Sequence, residues 1–294
     1  MPKDASLATF IALIGPPGVG KSTVSAYIQK TLGVGVFRLR DFAQVCRAAG
    51  WISEDEFATS DHLGWFSNDT VKALIGHAFL REQFPQSRII VCENFPGTPE
   101  QVHSLRRVAQ LRAAQISIIE LDADEDALRT RVSTRRVCGT CEPDLGGEPH
   151  RPARPDPADA GRCERCHQPL TQRRSDTART FTLRLSRYRR RLPGIRAAAA
   201  SFGMPYQRID TSKTTAAQIG EFVALFSRAA ATERSELWQP RACVKRRVTP
   251  AQMPAPEPST RHEELHDCRP PRPTSHSAVL SFLARDEQLS RDDG

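Results

Sequence analysis

This chain lacks long apolar runs. No stretch of the sequence approaches the roughly 20 uncharged apolar residues that a membrane-spanning helix needs. The apolar segment near the N-terminus is short and is broken at Gly15, which is not the pattern of a secretory signal peptide. We therefore expect a cytoplasmic protein that is neither exported nor anchored in a membrane.

Lysine is also scarce, because arginine supplies most of the positive charge. Only 6 of the 42 basic residues are lysine, and their excess over 34 acidic residues gives a net charge of +8. A basic balance fits a phosphate-rich ligand or a nucleic acid. A general preference for arginine would give the same sign without any functional patch. The position of each arginine therefore has to decide its role.

Short apolar runs alternate with helical patterns along most of the chain. The runs rich in Ile and Val that predict strands are 8–14, Arg88–Cys92, Gln115–Leu121 and Pro205–Ile209. Helical spacing is found at Ser22–Leu32, Asp69–Arg81, Glu100–Ala114, Glu125–Arg135, Thr177–Ala200 and Thr215–Ala229. This alternation predicts an α/β domain in which helices flank a parallel sheet that is buried on both faces.

Two segments depart from the alternation. Residues 137–172 contain six prolines and four cysteines with almost no apolar periodicity, so we expect a small insertion held by something other than a core. After about residue 231 the composition shifts to Pro, Arg, Ser and Glu. We predict a core domain over 1–230 and a mostly disordered tail over 231–294, with one short helix at His276–Arg285.

The segment Gly15-Pro-Pro-Gly-Val-Gly-Lys-Ser matches the phosphate-loop pattern, and it lies between a predicted strand and a predicted helix. Its glycines allow backbone N–H groups to wrap a β-phosphate, and the helix N-terminus adds partial positive charge. Lys21 can bridge β and γ oxygens, and the Ser22 hydroxyl can ligate Mg²⁺. The alternative is a glycine-rich turn with an incidental lysine.

Two cysteine pairs predict a structural zinc site in the insertion. Cys138-x-x-Cys141 and Cys163-x-x-Cys166 are separated by 21 residues, which is the spacing of a four-thiolate zinc knuckle. The alternatives are a redox or vestigial knuckle in which the thiols are merely close, or a site in which His167 substitutes for Cys166.

Arginines crowd both edges of this insertion. They are Arg131, Arg135 and Arg136 before it, and Arg173, Arg174, Arg179 and Arg184 after it. A zinc-held flap hinged on two arginine-bearing helices would bring positive charge over whatever the phosphate loop holds. Transfer of a phosphoryl group depends mainly on positioning and on such charge stabilisation.

Together these motifs resemble the adenylate kinase family in its zinc-containing lid form, over roughly residues 8–228. The resemblance rests on the phosphate loop at 15–23, on Glu93-Asn-Phe-Pro-Gly-Thr-Pro-Glu-Gln101, on Arg-Arg-Val-Cys-x-x-Cys, and on Arg173-Arg-Ser-Asp176 with Arg184-Leu-x-x-Tyr188. It implies a P-loop NTPase fold with an acceptor-binding region at about 36–85 and a zinc lid at about 137–172. The implied activity is transfer of the γ-phosphoryl group of Mg-ATP to a nucleoside monophosphate, with AMP as the expected acceptor.

The resemblance also implies roles on the donor side. Arg135, Arg173 and Arg184 would clamp the transferring group together with Lys21, and Arg131 would lie over the donor base. The residues implied for ATP are Gly15, Gly18, Val19, Gly20, Lys21, Ser22, Thr23, Arg131 and Arg135.

On the acceptor side, the implied residues are Arg47, Glu93, Gln101, Arg173 and Arg184. Arg47 would bind the acceptor phosphate and Gln101 would read the acceptor base. Glu93 occupies the place of an aspartate associated with Mg²⁺ and its waters.

Several positions differ from the family pattern. Gly97 stands where the family has an arginine for the acceptor phosphate, and Leu39-Arg-Asp-Phe-Ala-Gln stands in place of Ser-Thr-Gly-Asp. Ser175-Asp176 replaces a pair of aspartates, and Ser22 replaces a glycine. Acceptor binding should therefore be weaker unless another arginine substitutes, and Arg40 is the nearest candidate, with Arg38 behind it.

Two other functions stay open. The altered acceptor side also fits a degenerate member that binds ATP and moves its lid for regulation with little turnover. A P-loop ATPase linked to nucleic acid would also carry a knuckle and a basic tail. Aromatic residues for base stacking are scarce around 137–172, so we expect no nucleic-acid partner. We expect a monomer that binds ATP and a nucleoside monophosphate.

Overall fold

A computed structural model describes residues 9–57, 65–81, 84, 87–142, 149 and 151–224 of the chain. Five parallel strands form one sheet in these ranges, in the order β2-β3-β1-β4-β5. The strands are β1 (Thr9–Ile14), β2 (Gly35–Arg38), β3 (Ile89–Glu93), β4 (Gln115–Asp122) and β5 (Tyr206–Asp210). The helices are α1 (Lys21–Leu32), α2 (Leu39–Ala48), α3 (Glu54–Phe57), α4 (Asn68–Ile75), α5 (Pro99–Leu111), α6 (Glu125–Thr134) and α7 (Ala178–Ser201).

The central strand β1 is buried on both faces of the sheet. Phe10, Ala12 and Ile14 pack into one apolar cluster, which includes residues of α2, α4, α5 and α7. Ile11 and Leu13 pack into a second cluster with residues of α1, α6 and the N-terminal half of α7. This arrangement confirms the predicted parallel sheet flanked by helices, because a strand covered on both sides is apolar at every position.

Side-chain caps determine where three of the helices begin. The side chains of Ser67, Thr98 and Asp124 each accept a hydrogen bond from a backbone N–H in the first turn of α4, α5 and α6. The helix predicted at 69–81 is divided, since α4 ends at Ile75 and a π-helical turn follows at Gly76–Leu80.

Strand β2 and helix α2 were not predicted. The strand is only four residues long and holds one fully buried side chain, Phe37, so it gives no apolar run. Helix α2 starts directly after it, at Leu39. The predicted helix at 215–229 is helical at 216–224, and its remainder lies outside the described residues, as do the predicted tail and the helix at 276–285.

The topology places the phosphate loop where parallel sheets bind ligands. β1 lies between β3 and β4, and β2 lies beyond β3. Connections leave β1 and β3 at their carboxyl ends, and ligands of open α/β sheets bind at that edge. Residues at the ends of β1, β2 and β3 are therefore brought together there. None of the helices in the described ranges has the length and hydropathy needed to span a membrane.

Candidate active site

The phosphate loop joins β1 to α1 and is packed too closely for side chains at two of its glycines. A Cβ on Gly15 would lie 2.5 Å from the carbonyl oxygen of Leu121, and a Cβ on Gly18 would lie 2.9 Å from that of Leu128. Gly18 also has φ of +84°, which favours glycine. No side chain caps the N-terminus of α1, so its first N–H groups face the loop. The loop is therefore shaped for an anion by its backbone.

Lys21 lies across this loop. Its Nζ donates to the carbonyl oxygens of Gly15 at 2.7 Å and of Pro16 at 2.8 Å. The pKa of Lys21 is lowered to about 8, chiefly by burial; the Glu93 charge raises it, and the charges of Arg135 and Arg184 add to the lowering. The ammonium group therefore lacks a full counter-charge in this state, which favours an anionic ligand.

Glu93 ends β3 beside the loop, where it is 7% exposed. Its Oε1 accepts from the Ser22 hydroxyl at 2.5 Å, and its Oε2 accepts from the Ser25 hydroxyl at 2.5 Å and from Arg38 Nε at 2.7 Å. Burial would raise the pKa of this carboxyl, but the Arg38 charge and these hydrogen bonds outweigh burial and hold the pKa below its usual range. Glu93 is therefore ionised and connects the phosphate loop to β2.

A cleft opens in front of the loop, and we call it the loop cleft. It brings together most of the predicted site residues: Gly15, Gly18, Gly20, Lys21, Ser22, Thr23, Glu93, Gln101, Arg135, Arg173 and Arg184. Its walls also include Arg38, Arg40, Asp41, Trp65, Phe66 and Tyr188. The cleft thus gathers several guanidinium groups around the loop lysine.

A second cavity lies on the lid side of the loop and is lined by Val19, Gly20, Arg131, Thr211 and Ile219, among others. Arg131 is fixed there by Thr211, whose side-chain and backbone oxygens accept from its guanidinium at 2.9 and 3.1 Å. Arg135 borders both this lid-side cavity and the loop cleft. A nucleotide whose phosphates occupy the loop has room for its base on this side.

Arg135 is held in position by Asp176. The carboxylate accepts from Nε at 2.7 Å and from Nη2 at 2.5 Å, and its side chain is only 2% exposed. Such a bidentate pair fixes both the position and the plane of the guanidinium. Asp176 therefore orients the arginine that borders both cavities.

The structure does not bring Arg47 into the loop cleft. Arg47 lies in the last turn of α2, where its Nε donates to Glu54 at 2.8 Å and its guanidinium lies 4.8 Å from the centre of the Phe57 ring. Because α2 begins at Leu39, the side chains of Arg38 and Arg40 face the cleft instead.

Gln101 borders the cleft, but its amide bonds within the protein. Its Oε1 accepts from the Gly97 backbone N–H at 2.8 Å, and its Nε2 donates to Asn68 Oδ1 at 3.2 Å. These bonds fix the loop after β3, so reading a base would require the amide to exchange partners.

Trp65 occupies the space that a side chain at position 97 would need. A Cβ on Gly97 would lie 2.8 Å from the Trp65 ring. The guanidinium groups of Arg187 and Arg191 from α7 lie 5.2 and 4.8 Å from the centre of the same ring. Arginine is therefore excluded at position 97 while Trp65 keeps this position.

A short antiparallel pairing joins the two ends of the predicted lid segment at 137–172. The backbone N–H of Val137 donates to Thr171 at 2.9 Å, and that of Thr171 donates back at 3.0 Å. The four predicted cysteines meet above this pairing, with all Sγ atoms within 4.8 Å of one another. Two of the sulfur pairs are separated by 3.4 Å and 3.7 Å.

These sulfur positions fit a tetrahedral zinc ion. Zn–S bonds of about 2.3 Å place tetrahedral sulfurs roughly 3.8 Å apart. The pKa of Cys138 is lowered to about 7, chiefly by a backbone hydrogen bond from Cys141. The pKa of Cys141 is raised to about 12, chiefly by its hydrogen bond with the Cys166 thiol. Thiolates at these distances repel one another unless a cation lies between them. His167 does not replace Cys166, because the Sγ of Cys166 itself lies in the cluster, 3.4 Å from that of Cys138.

Comparison with known proteins identifies the family. No protein-family model matches the chain. The chain is 30% identical over 182 residues to the adenylate kinase of Rhizorhabdus wittichii, covering 61% of this chain and 81% of that protein. It is likewise 30% identical over 182 residues to the adenylate kinase of Symbiobacterium thermophilum (60% and 80%) and 28% identical over 183 residues to that of Novosphingobium aromaticivorans (61% and 81%). The chain belongs to the adenylate kinase family. It is a phosphotransferase of the nucleoside monophosphate kinase class.

Sequence patterns do not predict the contacts of three residues of this adenylate kinase-family site, Ser25, Arg38 and Trp65. The sequence ranks Arg38 behind Arg40, yet Arg38 bonds directly to Glu93, and the sequence gives no sign that Ser25 bonds to the same carboxylate. Trp65 gave no signal, because the sequence does not show that it lies against Gly97. Of the three, only Arg38 carries a sequence signal, because it directly precedes the segment that stands in place of Ser-Thr-Gly-Asp.

Proposed function

We propose that this protein transfers the γ-phosphoryl group of Mg-ATP to AMP, producing two ADP. The observation that carries the proposal is the convergence of Lys21, Arg135, Arg173 and Arg184 on the mouth of the phosphate loop. Phosphoryl transfer needs positioned positive charge around the transferring group more than it needs covalent chemistry. Every residue of the proposed site comes from one chain, so a monomer suffices.

The donor binds with its phosphates in the loop. Lys21 exchanges its two backbone carbonyl partners for β- and γ-phosphate oxygens, and the backbone at Gly15, Gly18 and Gly20 surrounds the β-phosphate. The adenine then occupies the lid-side cavity beneath Arg131, beside Val19 and Thr23. The helix N-terminus of α1 adds partial positive charge to the same oxygens.

The residues present also fit Mg²⁺. The Ser22 hydroxyl and the ionised Glu93 carboxylate are adjacent oxygen donors at the end of the loop, and Mg²⁺ prefers oxygen ligands. Ser22 would hold the ion directly and Glu93 would hold its waters. Bound with ATP, the ion supplies charge neutralisation at the β- and γ-oxygens.

The arginines that flank the lid supply the remaining positive charge. We propose that the segment at about 137–172 closes over the donor, and that Arg135, oriented by Asp176, contacts the transferring phosphoryl group with Arg173 and Arg184. The acceptor enters from the region at about 36–85, where Trp65 and Phe66 give the cleft an apolar wall. Gln101 reads the acceptor base after releasing Asn68 or Gly97.

An acceptor panel tests this proposal. Purified protein is given Mg-ATP with AMP, CMP, UMP or GMP, and nucleotides are separated by chromatography. We expect two diphosphates per ATP consumed, with AMP used best. Nucleotide binding without turnover would instead indicate a regulatory member, and ATP hydrolysis stimulated by RNA or DNA would indicate an ATPase; either result refutes the proposal.

The lowered pKa of Lys21 predicts a pH dependence. Below about pH 8 the free protein carries a charged Lys21, and above that value the charge is lost. Since only the ammonium form attracts phosphate, kcat/KM for ATP should fall about tenfold per pH unit above pH 8. The measurement is a pH profile from 6.5 to 9.5. The control is Lys21→Arg, whose side chain stays charged and whose residual activity should lack this decline. A flat wild-type profile would contradict the assignment.

The four thiols predict one zinc ion per chain. Elemental analysis should find it, and a chelator should lower the melting temperature, because the lid has too little apolar content to fold without the metal. The double variant Cys138→Ser/Cys163→Ser should lose both the zinc and the chelator response. His167→Ala serves as the matched control and should keep its zinc. Zinc-free wild-type protein, or a double variant that melts like wild type, would refute the site.

A further inference from the structure

Arg38 connects strand β2 to the phosphate loop through the carboxylate of Glu93. It is the last residue of β2, and its Nε donates to Glu93 Oε2 at 2.7 Å. The other oxygen of that carboxylate accepts from the Ser22 hydroxyl in the phosphate loop. The side chain of Arg38 is 21% exposed and lines the loop cleft. A line of contacts therefore runs from β2 through Glu93 to the phosphate loop.

Of the arginines that the sequence assigned to the acceptor side, Arg173 and Arg184 line this cleft but Arg47 does not. Trp65 fills the space beside Gly97, and Arg47 bonds to Glu54 outside the cleft. Among the described residues, the arginines that reach the cleft from the β2–α2 junction are Arg38 and Arg40. A monophosphate bound beside this junction would lie within reach of these two arginines.

Arg38 is better prepared for this role than Arg40. The buried Glu93 already fixes the Arg38 side chain, so little conformational freedom is lost when a ligand binds. Arg40, by contrast, is exposed. The bond to Glu93 uses Nε of Arg38, and a guanidinium has four further hydrogens on its two Nη atoms. Nη1 lies 3.9 Å from Asp41, at the cleft wall.

We propose that Arg38 binds the acceptor phosphate through its Nη atoms while its Nε holds Glu93. This inference rests on the proposed function and names the residue that replaces the missing arginine. One side chain then contacts the acceptor phosphate and the carboxylate beside Ser22. Its loss should weaken AMP binding by about tenfold or more, as expected for a charged hydrogen bond to phosphate.

The test is calorimetric binding of AMP and of adenosine to wild type, Arg38→Met, Glu93→Gln and Arg38→Met/Glu93→Gln. The double variant avoids leaving the buried Glu93 charge unpaired. We expect Arg38→Met to weaken AMP binding both alone and in the Glu93→Gln background, and to leave adenosine binding unchanged. Arg129→Met, which removes an exposed arginine paired with Glu125, is the matched control and should bind both ligands like wild type.

The outcomes separate this inference from the proposed function. An effect of Arg38→Met that disappears in the Glu93→Gln background would mean that Arg38 only positions Glu93, and would overturn the inference. Equal losses for AMP and adenosine, or a wild type that binds AMP no better than adenosine, would overturn it as well. Wild type that binds AMP through Arg38 without phosphorylating it would refute the proposed function and leave the inference standing.

Discussion

Lys21→Ala is expected to lower kcat by about 10² to 10³, which corresponds to roughly 3 to 4 kcal/mol of lost electrostatic stabilisation. The Lys21 side chain is partly buried at the mouth of the loop, and its ammonium group bonds there to backbone oxygens that a phosphate can replace. The glycines and backbone contacts that shape the loop do not depend on it, so the variant should fold. Stopped-time assays of diphosphate formation measure the fall in kcat, and the unfolding temperature shows whether the variant is folded.

The control for this change lies on the same helix. Lys30 is an exposed lysine in the last turn of α1, away from the loop. Lys30→Ala should have the activity of wild type. If Lys21→Ala also keeps near-normal turnover while its fold is intact, the phosphate loop does not take part in the reaction.

Asp176→Ala is expected to destabilise the protein by about 3 kcal/mol, because removing one partner leaves the Arg135 guanidinium without its carboxylate. This loss of stability is at the lower end of the range for broken buried ion pairs, because Arg135 also borders the cleft, where water can solvate its guanidinium. The same change frees Arg135 from its fixed plane, so kcat should fall as well. Denaturant unfolding and steady-state kinetics measure the two effects.

An exposed ion pair provides the comparison. Glu54 bonds to Arg47 at 2.8 Å, but the two side chains are 72% and 45% exposed. Glu54→Ala should therefore cost less than about 1 kcal/mol. Equal stability losses in the two variants would show that Asp176 is not a buried anchor, and an unchanged kcat in Asp176→Ala would show that Arg135 needs no orientation.

The sequence predicts the parts of the fold whose signals are local. β1, the phosphate loop and α1 follow one another within 24 residues, from Thr9 to Leu32, and each has its own pattern. β2 is invisible because its burial comes from partners far along the chain, with Gly35 beside Ile90 and Arg38 beside Glu93. The start of α2 depends on where β2 ends. For this reason the sequence also does not show that Arg47, in the last turn of α2, lies outside the cleft.

The candidate site divides in the same way. The phosphate loop and the cysteine pairs are predictable, since each motif places its own ligands at fixed spacing. The contacts of Trp65 with Gly97 and of Arg38 with Glu93 are set by tertiary packing, which no spacing encodes. Gln101 shows a third case, because the residue borders the cleft while its amide bonds to Gly97 and Asn68.

The most direct test of the account follows the phosphoryl group itself. ATP labelled in the γ-phosphate is mixed with unlabelled AMP, Mg²⁺ and the protein, and the reaction is quenched within the first turnovers. We predict that the label appears in ADP, as the β-phosphate of the molecule formed from AMP. Lys21→Ala should slow the appearance of this label by at least about 10²-fold. Label released as inorganic phosphate, or label that remains in ATP while AMP is bound, would contradict the assignment of this protein as a nucleoside monophosphate kinase that uses AMP.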